Sequence, residues 1–135
     1  MSFFAPTASG TSVKFTQQNV EFIGQVSGPI SEVQETVYGS RDQLATWPNG
    51  DPKMKALVPL TTESGETFTL HVPRNSRLHK AIGAALQTAG VGDLEQGGVL
   101  GVTWTGFAAG RNPSNPPRDF AVRYITAAEV AAQAA

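Results

Sequence analysis

Aromatic residues stand close to basic ones along this chain: Tyr38 before Arg41, Trp47 before Lys53 and Lys55, Trp104 and Phe107 before Arg111, and Tyr124 after Arg118 and Arg123. One kind of chemistry uses that pairing. Unpaired bases offer flat faces that stack on aromatic rings for about 1–3 kcal/mol each, and the phosphates between them take Lys or Arg. Neither demand fixes a strict spacing, and any small β domain also contains aromatics, so side-chain parity has to separate platform from core. Trp104 shares parity with Leu100 and Val102, and Phe68 and Phe120 likewise share parity with apolar neighbours, which assigns all three rings to the core. Trp47 lies among loop residues and is the leading stacking candidate. The candidate nucleic-acid-binding set is Arg41, Trp47, Lys53, Lys55, Arg74, Phe107, Arg111, Arg118 and Arg123.

Other chemistries find little support. The two histidines, His71 and His79, have no carboxylate at metal-ligand spacing, so no metal site is expected. The absence of cysteine excludes a disulfide framework, a zinc ribbon and thiol catalysis. No nucleophile elbow, P-loop or dinucleotide fingerprint occurs, and Gly97, Gly98 and Gly101 precede a strand instead of a phosphate-cradling helix. Asp42, Asp51, Asp93 and Asp119 fall in expected loops, where turn capping is their ordinary role. No catalytic residue and no cofactor is expected.

The net charge of −1 argues against coating nucleic acid by bulk charge. Its distribution is uneven. Residues 41–80 hold six basic side chains against four acidic ones, residues 101–125 hold Arg111, Arg118 and Arg123 against Asp119, and residues 1–35 hold Lys14 against Glu21, Glu32 and Glu35. The first ten residues lack a basic residue and an apolar stretch of signal length, and no run of about 18 apolar residues occurs anywhere, so neither export nor membrane spanning is expected.

The elements that must position these side chains are mostly strands. Residues 1–18 read as a flexible N-terminal arm or at most a loosely docked strand, residues 19–126 as the binding domain, and residues 127–135 as an accessory Ala-rich tail able to form a helical turn or two. Val20, Phe22, Val26 and Ile30, broken by Gly24 and Gly28, suggest a long bent strand. Residues 33–38 form a second extended stretch, and Pro48, Asn49, Gly50 and Pro52 mark an exposed loop. Met54, Ala56, Val58 and Leu60 alternate with Lys53, Lys55, Leu57 and Pro59, where the proline suggests an edge or a bulge. A turn at residues 63–66 leads back through Phe68, Leu70 and Val72. Asn75 or Ser76 can cap a helix with an apolar stripe at Leu78, Ile82, Ala85, Leu86 and Ala89, stopped by Gly90. Arg77 and Lys80 fall on its opposite, solvated face. Residues 99–107 and 120–125 supply two more strands joined by a Pro-rich loop with Arg111.

The expected fold is mainly β: an OB-fold-like small antiparallel barrel with one α-helix between the third and fourth strands. Another small barrel or an α+β sandwich would fit the same element string.

The segments Arg41-Asp42, Thr46-Trp47-Pro48-Asn49-Gly50-Asp51-Pro52, His79 to Ala85, Leu94 to Gly98 and Val102-Thr103-Trp104-Thr105-Gly106 carry a further signal. Through them, over residues 20–125, the chain resembles actinobacteriophage single-stranded-DNA-binding proteins. The most specific piece is the loop after Arg41-Asp42, which is similar to that family's Trp-Pro-Asp-Gly-x-Pro signature. The resemblance implies an OB-like fold, sequence-tolerant binding of single-stranded DNA, and a place in phage DNA replication or recombination in the bacterial host cytoplasm, with Arg41, Trp47, Lys53 and Lys55 in binding roles. Self-association would help such a domain cover a strand, and replication or recombination proteins are possible further partners. Two departures stand out: the hairpin at residues 62–67 lacks a longer acidic insertion, and the C-terminus lacks an acidic, aromatic-ended tip. The rival expectations are a phage structural or protein-interaction module of the same architecture without nucleic-acid binding, and a small enzyme or inhibitor of a host enzyme.

Overall fold

Gly24 sets the first bend of the sheet. A Cβ at this position would lie 2.8 Å from the Cβ of Leu60, so only a glycine lets the two backbones close to this distance. In the computed structural model, which describes residues 11–37, 39, 42–107 and 117–134, this glycine lies in β2 (Glu21–Val26). Residues 21–25 of β2 pair antiparallel with β6 (Val99–Phe107), while Gln25 and Val26 pair with Thr61 and Leu60 of β4 (Met54–Thr61). After the kink at residues 27–30, β3 (Ser31–Gln34) returns to the first half of β4, from Ser31 opposite Leu57 to Gln34 opposite Met54.

One strand edge of β4 is thus covered in two pieces, and Pro59 lies at the break between them. Sequence suggests an edge or a bulge for this proline, yet β4 is an interior strand. Ser27 N–H donates to the Pro59 carbonyl at 3.0 Å, and a residue's carbonyl and nitrogen point to the same side of a strand. The nitrogen without a hydrogen therefore faces the kink, where no ladder bond is lost.

The other edge of β4 pairs with β5 (Thr67–Pro73), in register from Thr61 opposite Thr67 to Lys55 opposite Pro73. Gly65, at φ 89°, makes the tight return, and Thr62 N–H reaches the Glu66 carbonyl at 2.8 Å. β6 pairs in turn with β7 (Arg118–Ile125), with a bulge between Trp104 and Gly106.

Helix α1 (Arg77–Ala89) follows β5. Ser76 Oγ accepts the His79 N–H at 3.1 Å, and Gly90 closes the C-terminus in the left-handed region at φ 78°. Leu78, Ile82, Ala85 and Leu86 meet Val26, Val58, Leu60, Leu70, Leu100 and Val102 in one core. A second helix, α2 (Ala127–Ala134), forms from the Ala-rich tail. Thr126 Oγ1 accepts the Glu129 N–H at 3.2 Å, and Glu95 Oε1 accepts the Ala127 N–H at 3.1 Å, so these two first-turn donors are satisfied.

The strand order is β1-β5-β4-β2-β6-β7, with β3 beside β4, and the sheet curls into a half-barrel. Among the described residues β5 and β7 do not pair. The seam between them is occupied by residues 11–18, where sequence suggests a flexible arm. β1 (Thr11–Ser12) runs parallel to β5, Val13 N–H donates to Thr69 O at 3.0 Å, and Val13 and Phe15 pack toward the core. Phe15 meets Phe120 of β7 edge-on at 5.2 Å, Arg118 donates to the Phe15 carbonyl at 2.9 Å, and Asn19 N–H reaches Trp104 O at 2.8 Å. Two apolar residues alternating with Ser12 and Lys14 are too short a period to stand out from a Ser/Thr/Gln-rich segment. Among the described residues no helix is long and apolar enough to cross a membrane.

Candidate nucleic-acid interface

The loop between β3 and β4 is a folded-back ribbon. Glu35 N–H donates to Lys53 O, Ala45 N–H to Glu35 O, and Lys53 N–H to Ala45 O, at 2.7, 2.8 and 3.1 Å. At its tip, Trp47 N–H bonds to Asp51 O and Gly50 N–H to Trp47 O, both at 2.8 Å, making a three-residue return through Pro48, Asn49 and Gly50. Pro48 restricts φ at the start of the turn, and Gly50 takes φ 92°, which the last residue of such a loop requires. Asn49 Oδ1 and Nδ2 bind the Asp51 N–H and carboxylate, both at 3.0 Å. The Trp47 indole is consequently held on a rigid turn while 45% exposed.

Lys53 completes the arrangement. Its Nζ lies 4.6 Å from the Trp47 ring centroid, an ammonium on a π face. Lys55 is two residues further along the strand and shares the outer face of β4 with Leu57 and Pro59, opposite the face of Val58 and Leu60 that enters the core. Across the hairpin, His71 sits on that outer face beside Leu57. Partial burial lowers the His71 pKa below its ordinary value, and the positive charge of Lys55 adds to the shift. Among the described residues neither Lys53 nor Lys55 is in an ion pair. Trp47, Lys53, Lys55 and His71 therefore form one contiguous strip of aromatic and cationic groups.

The other candidates are placed elsewhere. Arg74 continues the β5 ladder opposite Met54, on the core-side face at its open end, where it bonds Glu32 at 2.7 Å. Arg123 lies on the outer face of β7 and holds Glu21 through Nε and Nη2 at 2.5 and 2.7 Å. Gly101 lies directly beneath this pair, since a Cβ there would meet the Glu21 carboxylate and Arg123 Cγ. The hydrogen bond to Arg123 holds the Glu21 carboxyl below its usual value and raises Arg123 in turn. By the β2–β4 register, Glu21 is ten residues from Lys55 along the strand direction, roughly 33 Å.

Phe107 and Arg118 face one another beyond the β6 bulge. Phe107 is 55% exposed and packs edge-on against Trp104 at 5.3 Å. Trp104 is only 9% exposed; its indole N–H donates to Gly106 O at 2.9 Å, and the Arg118 guanidinium lies 4.2 Å over its ring. Arg41 and Arg111 lie outside the described residues.

Sequence reasoning considered His71 only as a metal ligand, yet the hairpin turn already contains its position. With Thr61 opposite Thr67, Leu57 must face His71 and Met54 must face residue 74, which puts His71 beside the lysines and Arg74 on the other face. Phe15 carried no comparable signal. Among the described residues no cluster of three metal-binding side chains occurs. Comparison of the chain with protein families, with curated proteins and with solved structures returns no match.

Proposed function

We propose that this protein binds single-stranded DNA on an OB-type barrel, as a phage-encoded factor that protects or organises single strands during replication or recombination in the host cytoplasm. The observation that carries the reading is the exposed Trp47 indole fixed on its turn, with the Lys53 ammonium against its face and Lys55 next on the same strand face. A base stacks on the ring, and the flanking phosphates meet two ammonium groups that no carboxylate among the described residues neutralises. Among the described residues of the strip the cations are lysines and no arginine fork addresses a base edge, which favours sequence-tolerant binding.

The OB reading is supported by the bent β2–β3 unit, which pairs on one side with β6 and on the other with β4, as the first OB strand pairs with the fourth and second. On that correspondence β4 and β5 are the second and third strands, α1 comes next, and β6 and β7 are the fourth and fifth.

Titration of the protein into a labelled single strand and its duplex, at low and moderate salt, tests the proposal by fluorescence anisotropy. Saturable, salt-sensitive preference for the single strand is the expected result. Absence of binding at micromolar protein and low salt refutes it.

A second reading has its own observation. Val33, Val37 and Leu44 are exposed on the strand and ribbon that carry Trp47, and exposed apolar side chains near a Trp also suit a protein partner. That module would bind its partner without the steep salt dependence that phosphate contacts impose.

A further inference from the structure

The seam between β5 and β7 is not completely filled by residues 11–18. A groove of about 690 Å³ remains between this strap, the first turn of α1 and the start of β7. That volume falls within the range of small-ligand clefts. Its floor is apolar and includes Phe15 and Phe120, the edge-on pair that joins the strap to β7. Its rim carries Arg77, Lys80 and Arg118, and among the described residues no carboxylate lines it. Arg77 bonds Asp119 at 2.9 Å, but both side chains are about half exposed, and such pairs exchange readily for another anion. Lys80 is exposed and has no ion-pair partner among the described residues.

The groove also connects with the strip described above. His71 lines it and lies on the outer face of β5, one strand from Lys55; Pro73, the register partner of Lys55, lines it as well. An aromatic floor under a cationic rim is complementary to a nucleotide, and an unbroken line of such groups runs from Trp47 through Lys53, Lys55 and His71 to Lys80. An acidic peptide would satisfy the rim, but it would not account for the continuity with an exposed indole.

We infer that the seam groove is a second contact for the same single strand, with a base against Phe15 and Phe120 and the adjoining phosphates on Lys80 and Arg77. This inference rests on the single-strand reading of the Trp47 strip. It makes the bound strand cross β4 and β5 and pass over the strap.

The test compares the wild-type chain with the double variant Arg77→Gln, Lys80→Gln, both exposed positions, after confirming that their thermal melting midpoints agree. Labelled oligothymidylates of about four and about sixteen nucleotides span the site sizes of single OB folds. Each lost phosphate contact lowers the slope of log K against log salt by about 0.7 for a single strand, so the double variant loses about 1.4 on the long oligonucleotide and nothing on the short one. An unchanged slope on the long oligonucleotide overturns the groove contact while leaving the Trp47 site standing. An equal loss on both lengths also overturns it, because Arg77 and Lys80 would then belong to the first contact. Failure of the wild-type chain to bind either length removes both proposals together. A third titration uses a labelled acidic peptide containing phenylalanine. Peptide affinity that the double variant abolishes, with oligonucleotide slopes unchanged, assigns the groove to a protein partner and overturns the inference.

Discussion

Replacing Trp47 by alanine separates a binding ring from a structural one. The indole is 45% exposed, and its ring carries the Lys53 ammonium at 4.6 Å. An exposed cation–π contact contributes about 0.5–1 kcal/mol and the covered part of the ring adds packing, so Trp47→Ala lowers folding stability by about 1–2 kcal/mol. Loss of one stacked base costs about 1–3 kcal/mol, which weakens single-strand affinity roughly five- to 150-fold. Trp104 supplies the control: it is 9% exposed and hydrogen-bonded through its indole N–H, so Trp104→Ala costs about 3–5 kcal/mol of stability. Urea denaturation measures the first quantity and anisotropy titration the second, and Trp47→Phe retains most of the affinity because it retains a ring. An unchanged Kd in Trp47→Ala refutes the stacking role. A stability loss as large as that of Trp104→Ala refutes the reading of Trp47 as an exposed platform.

Three further outcomes follow from the geometry. Gly24→Ala destabilises the fold by about 1–3 kcal/mol in urea titration, because its Cβ would lie 2.8 Å from the Leu60 Cβ, which is fixed to the backbone and cannot rotate away. Ser76→Ala costs about 1 kcal/mol by the same assay, since it leaves the His79 N–H at the start of α1 without its cap. The His71 pKa is lowered in the folded state by burial and by Lys55, so below the unfolded value near 6.5 the unfolded chain binds more of this proton. The contribution of His71 to stability is therefore complete above about pH 6.5 and falls as the pH is lowered toward its folded pKa; denaturation at pH 8 and pH 5 shows the loss, and His71→Gln removes it.

The hairpin of β4 and β5 and the helix α1 were legible because their signals are local. Alternation in Met54–Leu60 and Phe68–Val72, a Gly at the turn and a Ser and a Gly at the two helix ends each act within a few residues. The Trp47 turn was legible for the same reason, through Pro48, Asn49 and Gly50. The strap was not. Val13 and Phe15 acquire meaning only from a gap between β5 and β7, strands about fifty residues apart in sequence, and no local pattern encodes that gap. The tail helix was half legible: its alanines favour helix, but the Glu95 carboxylate that receives the Ala127 N–H comes from a distant loop.

Charge pairing explains how a chain of net charge −1 can still present a cationic strip. Arg74, Arg77 and Arg123 each meet a carboxylate, Glu32, Asp119 and Glu21, and Arg118 is held between the Trp104 ring and the Phe15 carbonyl. Arg123 grips Glu21 at two points, as the planar guanidinium allows, whereas Arg74 and Arg77 each make a single contact. Lys53, Lys55 and Lys80 have no such partner among the described residues. Ammonium groups act as compact point charges with freely turning donors, which favours phosphate contacts that tolerate any base sequence. Three of the eleven acidic residues thus meet arginines of the sheet and its seam, and Lys53, Lys55 and Lys80 remain to set the local field over β4, β5 and α1.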